Sequence, residues 1–317
     1  MDYKVVVFGV KDTTADMVTY IRDNICPVDL VITIDEEVTG RNLVSGYKPL
    51  TFLTEAYGIP VHAARDYSLQ DDETKRFIAG NSFGIGVVMG WGRLIPKYVL
   101  ESFSNGIFGF HGNAGYLPFG RGRSPLNWSI ILGDTRFNLN LFQYDENADS
   151  PNIFATESFE INVHDDIRSA QYKNQIISRR LVKRLLETYR DSGEIKIRRD
   201  SKDFDSWYKK RTPADGRIDW HERTRNIYNL IRGVAAPFPG AFCSAVRGAE
   251  KEGFTVRIWD AQPFDQMLDL SEYAPGEVVE VFDGRAIVRT VDGSILINRY
   301  DTEGSPVTEL KSGDILR

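Results

Sequence analysis

Short apolar runs alternate along the first half of the chain with segments whose apolar residues recur at helical spacing. Strand-like runs lie at residues 4–9, 29–34, 59–62, 84–90 and 106–108, and helical segments lie at residues 13–24, at 50–57 and around Tyr98. Strands that alternate with helices in this way predict a Rossmann-like α/β fold, a mainly parallel sheet with helices on both faces.

The second half of the chain has a different pattern. Turn residues at 209–216 lead to a helix that carries Ile227, Leu230 and Ile231, and short strands follow at 254–259, 277–281, 286–290 and 294–297. Asp-Gly pairs at 283–284 and 292–293 lie between successive strands as hairpin signals. This pattern predicts a small β-barrel of the OB-like type. We therefore expect a first domain at residues 1–205, a linker and helix at 206–240, and the barrel at 241–317.

A long polar segment at residues 167–199 carries five Arg and Lys side chains between residues 179 and 190. Its apolar residues, among them Ile177, Leu181 and Leu185, are spaced as one face of a helix. A surface helix with a solvated basic face explains this pattern better than a phosphate-binding site.

Composition narrows the class of protein. Lys and Arg number 39 against 45 Asp and Glu, so the net charge is −6 and gives no reason to expect a nucleic acid partner. Cys26 and Cys243 form no metal-binding spacing, which favours free thiols and no bound metal. The opening residues lead directly into a strand-like run, so we expect a cytoplasmic protein without membrane insertion.

Residues 110–128 form an irregular stretch in which His111 stands among glycines and prolines. We expect His111 where a buried strand gives way to a loop, the position at which ligands bind in open α/β sheets. The other histidines, His62, His164 and His221, lie in ordinary polar or amphipathic contexts. His111 is therefore the candidate catalytic residue, against the alternative of a merely hydrogen-bonded ring.

The first turn between a strand and a helix argues against a dinucleotide cofactor. It reads Gly9-Val10-Lys11-Asp12 and lacks the GxGxxG spacing that a pyrophosphate requires.

The run from His111 to Trp128, which ends in Gly-Arg-Ser-Pro-Leu-Asn-Trp, resembles the signature loop of the folate-dependent formyltransferases. The resemblance continues at residues 132–134 and 147–153 and again at 211–220 and 237–242, so it covers nearly the whole chain in the order of the family. It looks closest to the formyltransferases that act on UDP-4-amino-4-deoxy-L-arabinose, and methionyl-tRNA formyltransferases are more distant relatives. The resemblance makes residues 1–205 the catalytic domain.

Members of this family use an Asn-x-His pair and a distant aspartate. The resemblance implies that His111 is the histidine and Asp149 the aspartate. The position of the asparagine holds Gly109, which has no side chain. The loop after His111 is two residues longer than is usual in the family, and Asn113 within it is the nearest amide that could replace the missing asparagine.

The chemistry implied by the resemblance explains why these residue types are needed. An amine attacks the formyl carbon of 10-formyltetrahydrofolate, and the carbonyl oxygen becomes negatively charged. A protonated imidazole and an amide N–H, here His111 and Asn113, each stabilise such an oxygen by about 3 kcal/mol when they are preorganised. Asp149 would orient the imidazole and help to accept the proton that the amine loses. Without the resemblance, Asp149 reads as a solvated loop residue.

The segment at residues 89–96 matches the folate site of the family. Its glycines permit close backbone approach and its apolar side chains would wall a slot, although an ordinary strand-to-helix turn is the alternative. The residues expected to bind formyltetrahydrofolate are Met89, Gly90, Trp91, Gly92, Arg93, Leu94, Ile95 and Tyr144. The residues expected to bind the acceptor are Arg123, Ser124, Pro125 and Asn127.

Three functions follow from the resemblance. The acidic balance favours an N-formyltransferase that acts on an amino-sugar nucleotide. A methionyl-tRNA formyltransferase would need a basic loop after the second strand, where this chain has Asp35-Glu36-Glu37, which would oppose RNA phosphates. The third function is a folate-binding protein that lost activity with the asparagine. We expect small-molecule partners, folate and a sugar nucleotide, and leave a homo-oligomer open.

Overall fold

The apolar runs of the first half pair into one sheet. The computed structural model describes residues 1–38, 46–115, 117–147, 152–199, 205–248, 253–304 and 309–317. Its strands in this part of the chain are β1 (Asp2–Phe8), β2 (Leu30–Ile34), β3 (Val61–Ala64), β4 (Ser82–Val88), β5 (Ile107–Asn113), β6 (Arg121–Gly122), β7 (Arg136–Gln143), β8 (Asn152–Glu160), β9 (Arg198–Arg199) and β10 (Trp207–Tyr208). Its helices are α1 (Asp12–Asn24), α2 (Phe52–Tyr57), α3 (Asp72–Ala79), α4 (Lys97–Leu100), α5 (Pro125–Leu132) and α6 (Ile167–Ser192).

The sheet has the strand order β3-β2-β1-β4-β5-β7-β8-β9. Its first five strands are parallel to their neighbours, and β7 then pairs antiparallel with β5. The strand order changes direction at β1. The chain places β2 and β3 on one side of β1 and then returns to place β4 on its other side. The predicted mainly parallel Rossmann-like sheet is confirmed, and the crevice between β1 and β4 is its topological switch point.

Two compact units are built from interleaved parts of the chain. The first consists of Met1–Gly122, Asn138–Ser158 and Asn174–Trp207, and the second of Arg123–Phe137, Phe159–Lys173 and Tyr208–Arg317. In the first unit, apolar side chains of the parallel strands form a buried core that includes Val6, Phe8, Leu30, Ile32, Phe83 and Ile107.

The basic segment is the long helix α6. Its residues Leu181, Leu185 and Leu186 are buried, and its cations Arg180 and Lys183 form ion pairs with acidic side chains on β8 and on the helix itself. The structure agrees with the predicted surface helix.

The second half of the chain contains the helix α7 (Thr224–Val234) and a curled antiparallel sheet. The strands of this sheet are β11 (Ala241–Val246), β12 (Phe254–Asp265), β13 (Val278–Phe282), β14 (Arg285–Thr290), β15 (Gly293–Glu303) and β16 (Ile315–Leu316). Their order is β13-β14-β15-β12-β11-β16, and a bridge between Glu277 and Ile315 brings the two edges together. The predicted small barrel is therefore confirmed.

The hairpin signal between β13 and β14 has the expected backbone. Asp283 and Gly284 have φ values of 50° and 75°, which is the left-handed conformation that a tight hairpin turn requires. Ile227 and Ile231 of α7 contribute to the same buried cluster as Val256 and Ile258 of β12. Within the described ranges, no helix is both long enough and apolar enough to cross a bilayer.

Candidate active site

The switch point of the sheet places two glycine turns side by side. Met89, just after β4, donates its backbone N–H to the carbonyl of Phe8 at 2.9 Å, and Thr14 of α1 donates its hydroxyl to the carbonyl of Met89 at 2.6 Å. A Cβ on Gly9 would overlap that carbonyl and Thr14, so only glycine permits this approach. Met89 and Gly90, predicted to bind folate, thus lie where open α/β sheets bind ligands.

Trp91 forms the centre of an aromatic cluster beside this turn. Its ring contacts that of Tyr67 edge to face, with the centroids 4.9 Å apart, and Phe8 lies at 6.3 Å. The Tyr67 hydroxyl accepts the backbone N–H of Gly92 at 2.7 Å. The indole Nε1 of Trp91 is buried and has no hydrogen-bond partner within the described ranges. A buried donor of this kind is costly unless a ligand supplies an acceptor, so a planar ring that carries heteroatoms would suit this position.

The rest of the predicted folate segment divides between this aromatic cluster and the core. The guanidinium of Arg93 lies 5.6 Å from the Tyr67 ring centroid, and Leu94 is 57% exposed. Ile95 is buried in the core of the first unit. Sequence patterns did not identify Tyr67, because it follows β3 in a segment without any motif.

His111 lies within β5, two residues before its end, and not at the transition from strand to loop that the sequence predicted. The strand continues to Asn113 because β7 pairs with it across this region, with His111 opposite Asn140 and Asn113 opposite Asn138. His111 is therefore not the loop residue that the sequence had predicted. It is held in β5 by pairing with β7, where its partner Asn140 lies 29 residues further along the chain.

His111 is 7% exposed, and its Nε2 lies 2.7 Å from the backbone carbonyl of Gly120. A carbonyl oxygen can only accept, so Nε2 carries the hydrogen in this arrangement. The backbone carbonyl of His111 accepts the side-chain amide of Asn140 at 3.1 Å. Both the ring and the backbone of His111 are therefore fixed.

Asn113 is fully buried beside it. Its Nδ2 donates to the carbonyl of Phe119, and its Oδ1 has no hydrogen-bond partner among the residues described. Residues two apart on a strand point to the same face of the sheet, so His111 and Asn113 share a face. Their side chains donate to the consecutive carbonyls of Gly120 and Phe119 in the loop after β5. The role of Asn113 as an oxyanion donor stays a prediction.

A polar ladder extends this face across two further strands. Asn140 accepts the hydroxyl of Thr156 at 2.7 Å, and Asn138 accepts that of Ser158 at 2.6 Å. Asn138 also donates to the carbonyls of Ala114 and Gly115. The sequence signal was the alternation of Asn with apolar residues at positions 137–141, which marks a strand with one polar and one apolar face.

Tyr144 lies directly over Gly109. A Cβ built on Gly109 would be 2.5 Å from the Tyr144 hydroxyl and 2.6 Å from its Cζ, closer than any real contact. The ring stacks on Phe142 with the centroids 5.0 Å apart. The missing side chain of Gly109 is thus replaced in space by a phenol.

Asp149, the predicted catalytic aspartate, lies outside the described residues. The described chain before it ends in a turn where Asp145 accepts the backbone N–H of Asn147 at 2.7 Å and the side chain of Asn152 at 3.1 Å.

The residues predicted to bind the acceptor belong to the second unit. Arg123 is exposed, and Ser124 has a φ of 56° immediately before Pro125, the first residue of α5. Asn127 is buried, and its side chain donates to the carbonyl of Gly233 in α7 at 2.8 Å.

The loop after β2 begins with three carboxylates. Asp35 is half-buried and accepts the backbone N–H of Glu37, while Glu36 and Glu37 are exposed. The remainder of this loop, residues 39–45, lies outside the described residues. Searched over the same ranges, His, Cys, Asp and Glu side chains form no cluster of three that could hold a metal ion.

Comparison with known proteins gives two matches to family models. One, described as "Formyl transferase", matches residues 3–181, and the other, described as "Formyl transferase, C-terminal domain", matches residues 210–312. A methionyl-tRNA formyltransferase from Fusobacterium nucleatum subsp. nucleatum is 26% identical over 274 residues, which cover 86% of this chain and 84% of that protein.

Solved structures resemble nearly the full length of the chain. HypX from Aquifex aeolicus, solved with tetrahydrofolic acid, has a TM-score of 0.60 at 17% identity over 98% of this chain and 46% of its own, so this chain spans a little less than half of HypX. An N-formyltransferase from Helicobacter canadensis, solved with folinic acid and dTDP-3-aminofucose, has a TM-score of 0.60 at 16% identity over 94% of this chain and 99% of its own. At these identities the likeness demonstrates a shared fold.

Proposed function

The chain belongs to the formyl transferase family, and from that premise we propose that it is an N-formyltransferase that moves the formyl group of 10-formyltetrahydrofolate to the amine of an amino-sugar nucleotide. Membership of the family makes the chain a formyl transfer enzyme; the identity of the formyl donor and of the acceptor is the proposal.

The aromatic cluster at the switch point supports folate as the formyl donor. A pterin is planar and carries ring nitrogens and a carbonyl, which suits a site beside Trp91 and Tyr67 with a buried, unpartnered indole N–H. Met89 and Gly90 would offer backbone groups to the pterin, and Arg93 and Leu94 would contact its outer edge. HypX and the Helicobacter enzyme were each solved with a folate compound, which is consistent with this assignment.

The acidic start of the loop after β2 is the observation that favours a small acceptor over tRNA. Exposed carboxylates at Glu36 and Glu37 would repel an RNA backbone, whereas a nucleotide sugar makes only local phosphate contacts. The Helicobacter enzyme, which aligns over 94% of this chain, was solved with an amino-sugar nucleotide. We assign acceptor binding to Arg123, Ser124 and Pro125, with Asn127 behind them.

The reaction forms one bond and breaks another. The neutral amine of the acceptor attacks the formyl carbon, and the carbonyl electrons move to oxygen. When the tetrahedral intermediate collapses, the bond between the carbon and N10 breaks, N10 takes the electron pair and a proton, and tetrahydrofolate leaves. His111 donates a hydrogen bond from Nε2 to the developing oxyanion. Asp149 orients the ring and helps to accept the proton that the attacking amine loses.

When 10-formyltetrahydrofolate binds, its formyl oxygen must compete with the loop after β5 for the hydrogen bonds of His111 and Asn113. His111 and Asn113 give hydrogens to the carbonyls of Gly120 and Phe119. A formyl oxygen that replaces these carbonyls takes over their donors, so the loop must move and its carbonyls must find other partners, such as water, for the exchange to cost little.

The test is a formylation assay with purified protein, 10-formyltetrahydrofolate and a panel of amino-sugar nucleotides, run beside charged initiator tRNA. Formylation of at least one amino-sugar nucleotide, without formylation of tRNA, is expected. Formylation of tRNA alone would contradict the proposed acceptor. Folate binding without turnover of any amine would instead identify a binding protein.

We further propose that residues 1–205 form the catalytic part, residues 206–240 the connection and residues 241–317 the barrel, and that the enzyme works in the cytoplasm, as its two free cysteines suggest.

A further inference from the structure

Gly109, two residues before His111, has no side chain, and the ring of Tyr144 occupies the space that a side chain there would need. The hydroxyl oxygen and Cε1 of Tyr144 lie 2.5 Å from the point that a Cβ of residue 109 would occupy. Any side chain at position 109 and the Tyr144 ring are therefore mutually exclusive in this arrangement.

The sheet explains how Tyr144 reaches this position. Its backbone N–H donates to the carbonyl of Ile107 at 2.8 Å, and the next pair along the ladder on the same face is Phe142 opposite Gly109. The ring leaves its backbone at the level of Ile107 and ends over Gly109, so it runs along β5 in the direction of His111. Stacking on Phe142 holds it in that direction.

The hydroxyl and the imidazole lie on the same face of the sheet. Gly109 and His111 are separated by one residue of an extended strand, roughly 6.6 Å along it, and their side-chain directions are the same. The Tyr144 hydroxyl over Gly109 and the imidazole of His111 are therefore directed to the same side of the sheet, and the Nε2 hydrogen of His111 must turn from the Gly120 carbonyl to share an acceptor oxygen with that hydroxyl.

We propose that Tyr144 is a catalytic residue whose hydroxyl donates a hydrogen bond to the formyl oxygen in the transition state, as the partner of His111. The inference rests on the proposed formyl transfer and names the group that supplies its second donor. A phenol is suited to this role because its ordinary pKa of about 10 keeps the proton in place at neutral pH. A tyrosine hydroxyl that donates to an oxyanion is an established device in enzymes.

Asn113 is the competing candidate for the second donor. It lies on the other side of His111 along the strand, is fully buried, and directs its amide to the carbonyl of Phe119. Its donor, like that of His111, must leave a backbone carbonyl before it can serve a substrate. The Tyr144 hydroxyl lies where a side chain from residue 109 would begin, which is where the family resemblance expects the asparagine.

The first test compares Tyr144→Phe with the wild-type enzyme on whichever amine the wild type formylates. The variant keeps the ring that fills the space over Gly109 and stacks on Phe142, and it loses only the donor. We expect kcat to fall about a hundredfold to a thousandfold, with the KM for 10-formyltetrahydrofolate changed less than about threefold. A kcat within threefold of wild type would overturn the proposal, and a large loss in Asn113→Ala alone would assign the role to Asn113.

Tyr228→Phe is the matched control. The Tyr228 hydroxyl donates to the carbonyl of Val163 in the second unit, so the variant also loses one tyrosine-to-carbonyl hydrogen bond, but away from β5. It should keep wild-type kcat. A loss in this variant equal to that of Tyr144→Phe would contradict a specific role for Tyr144.

A rescue experiment separates a donor from a filler of space. Gly109→Asn alone should be severely impaired, because its Cβ overlaps the Tyr144 ring. Gly109→Asn combined with Tyr144→Ala removes the overlap and returns an amide donor to the same position. The double variant should exceed Tyr144→Ala in kcat by at least about tenfold. Equal rates in these two folded proteins would contradict the proposal.

An infrared measurement separates the failure of this inference from the failure of the proposed function. The probe is 10-formyltetrahydrofolate with a carbon-labelled formyl group, bound without any acceptor. The formyl carbonyl stretch should lie at lower frequency on the wild-type protein than in solution and should return toward the solution value in Tyr144→Phe. Equal frequencies in the two proteins would overturn the role of Tyr144 even if formyl transfer occurs. A shift that depends on Tyr144 would support it even if the acceptor is not an amino-sugar nucleotide.

Discussion

At His111, the chemistry of one side chain depends on groups that lie far from it in the sequence. A histidine among glycines was enough to single out the residue, but its surroundings come from Gly120 in the loop after β5 and from Asn140. Asn140 is brought to it by the pairing of β5 with β7, and no local pattern encodes that register. Nor could the sequence show that the ring of Tyr144 occupies the space of a side chain at position 109, because this contact exists only when β5 and β7 are paired.

Replacing His111 with glutamine tests its role in catalysis. Glutamine can still offer an N–H near the position of Nε2, so the contact with the Gly120 carbonyl can persist, but it cannot carry a positive charge beside the oxyanion. We expect His111→Gln to lower kcat by about a hundredfold or more while the protein stays folded by circular dichroism. His221→Gln, at an exposed histidine of the second unit, should keep normal activity. A near-normal rate in His111→Gln would mean that the ring only holds the loop.

At the scale of elements, the hydrophobic pattern was most informative where strands are buried on both faces. The predicted strand at residues 29–34 is β2 (Leu30–Ile34), and the strand predicted at 286–290 is β14 (Arg285–Thr290). The pattern failed where pairing extends or creates a strand: β5 continues to Asn113, and β6 (Arg121–Gly122) has only two residues. Such short or polar pieces are defined by their partners and not by their own periodicity.

Asn127 in the helix α5 is expected to stabilise the fold, whereas Arg123 before the helix is expected to bind the acceptor. Asn127→Ala would leave the buried carbonyl of Gly233 without its donor, so the free energy of unfolding should fall by about 1–3 kcal/mol. Arg123→Ala, at an exposed residue, should lower the free energy of unfolding by less than about 1 kcal/mol and raise the KM for the acceptor. Urea denaturation and steady-state kinetics on both variants check this. A normal acceptor KM in Arg123→Ala would remove that residue from the binding site.

The contact between β3 and α3 should make stability depend on pH. Burial lowers the pKa of His62 below its ordinary value of 6.5, although Asp71 and Glu73 partly oppose this, and its Nε2 lies 3.0 Å from the hydroxyl of Thr74. The unfolded chain therefore binds a proton at a pH where the folded protein does not, so stability is lost as pH falls below about 6.5, at up to about 1.4 kcal/mol per unit.

Urea denaturation between pH 7 and pH 5 measures this effect. The free energy of unfolding of His62→Gln, which does not titrate, should depend less steeply on pH than that of the wild type. Parallel curves for the two proteins would show that His62 does not contribute.

At the scale of the whole molecule, the order of motifs indicated the family before any contact was known. The parallel sheet, its switch point and the barrel follow from patterns spread over the entire chain, and the family matches at residues 3–181 and 210–312 agree with them. The interleaving of the two units could not be predicted, because segments such as Arg123–Phe137 join the second unit through contacts with residues more than 90 positions away. The identity of the acceptor depends on side chains that sequence patterns leave open.

The most direct test of the central claim is to follow a carbon-labelled formyl group from 10-formyltetrahydrofolate by NMR in the presence of an amino-sugar nucleotide whose amine nitrogen is also labelled. We expect a new formamide signal split by coupling between the labelled carbon and nitrogen, which would prove that the bond between them has formed on the enzyme. A labelled formyl group that stays on folate, appears only as free formate, or moves only to charged tRNA would contradict the claim.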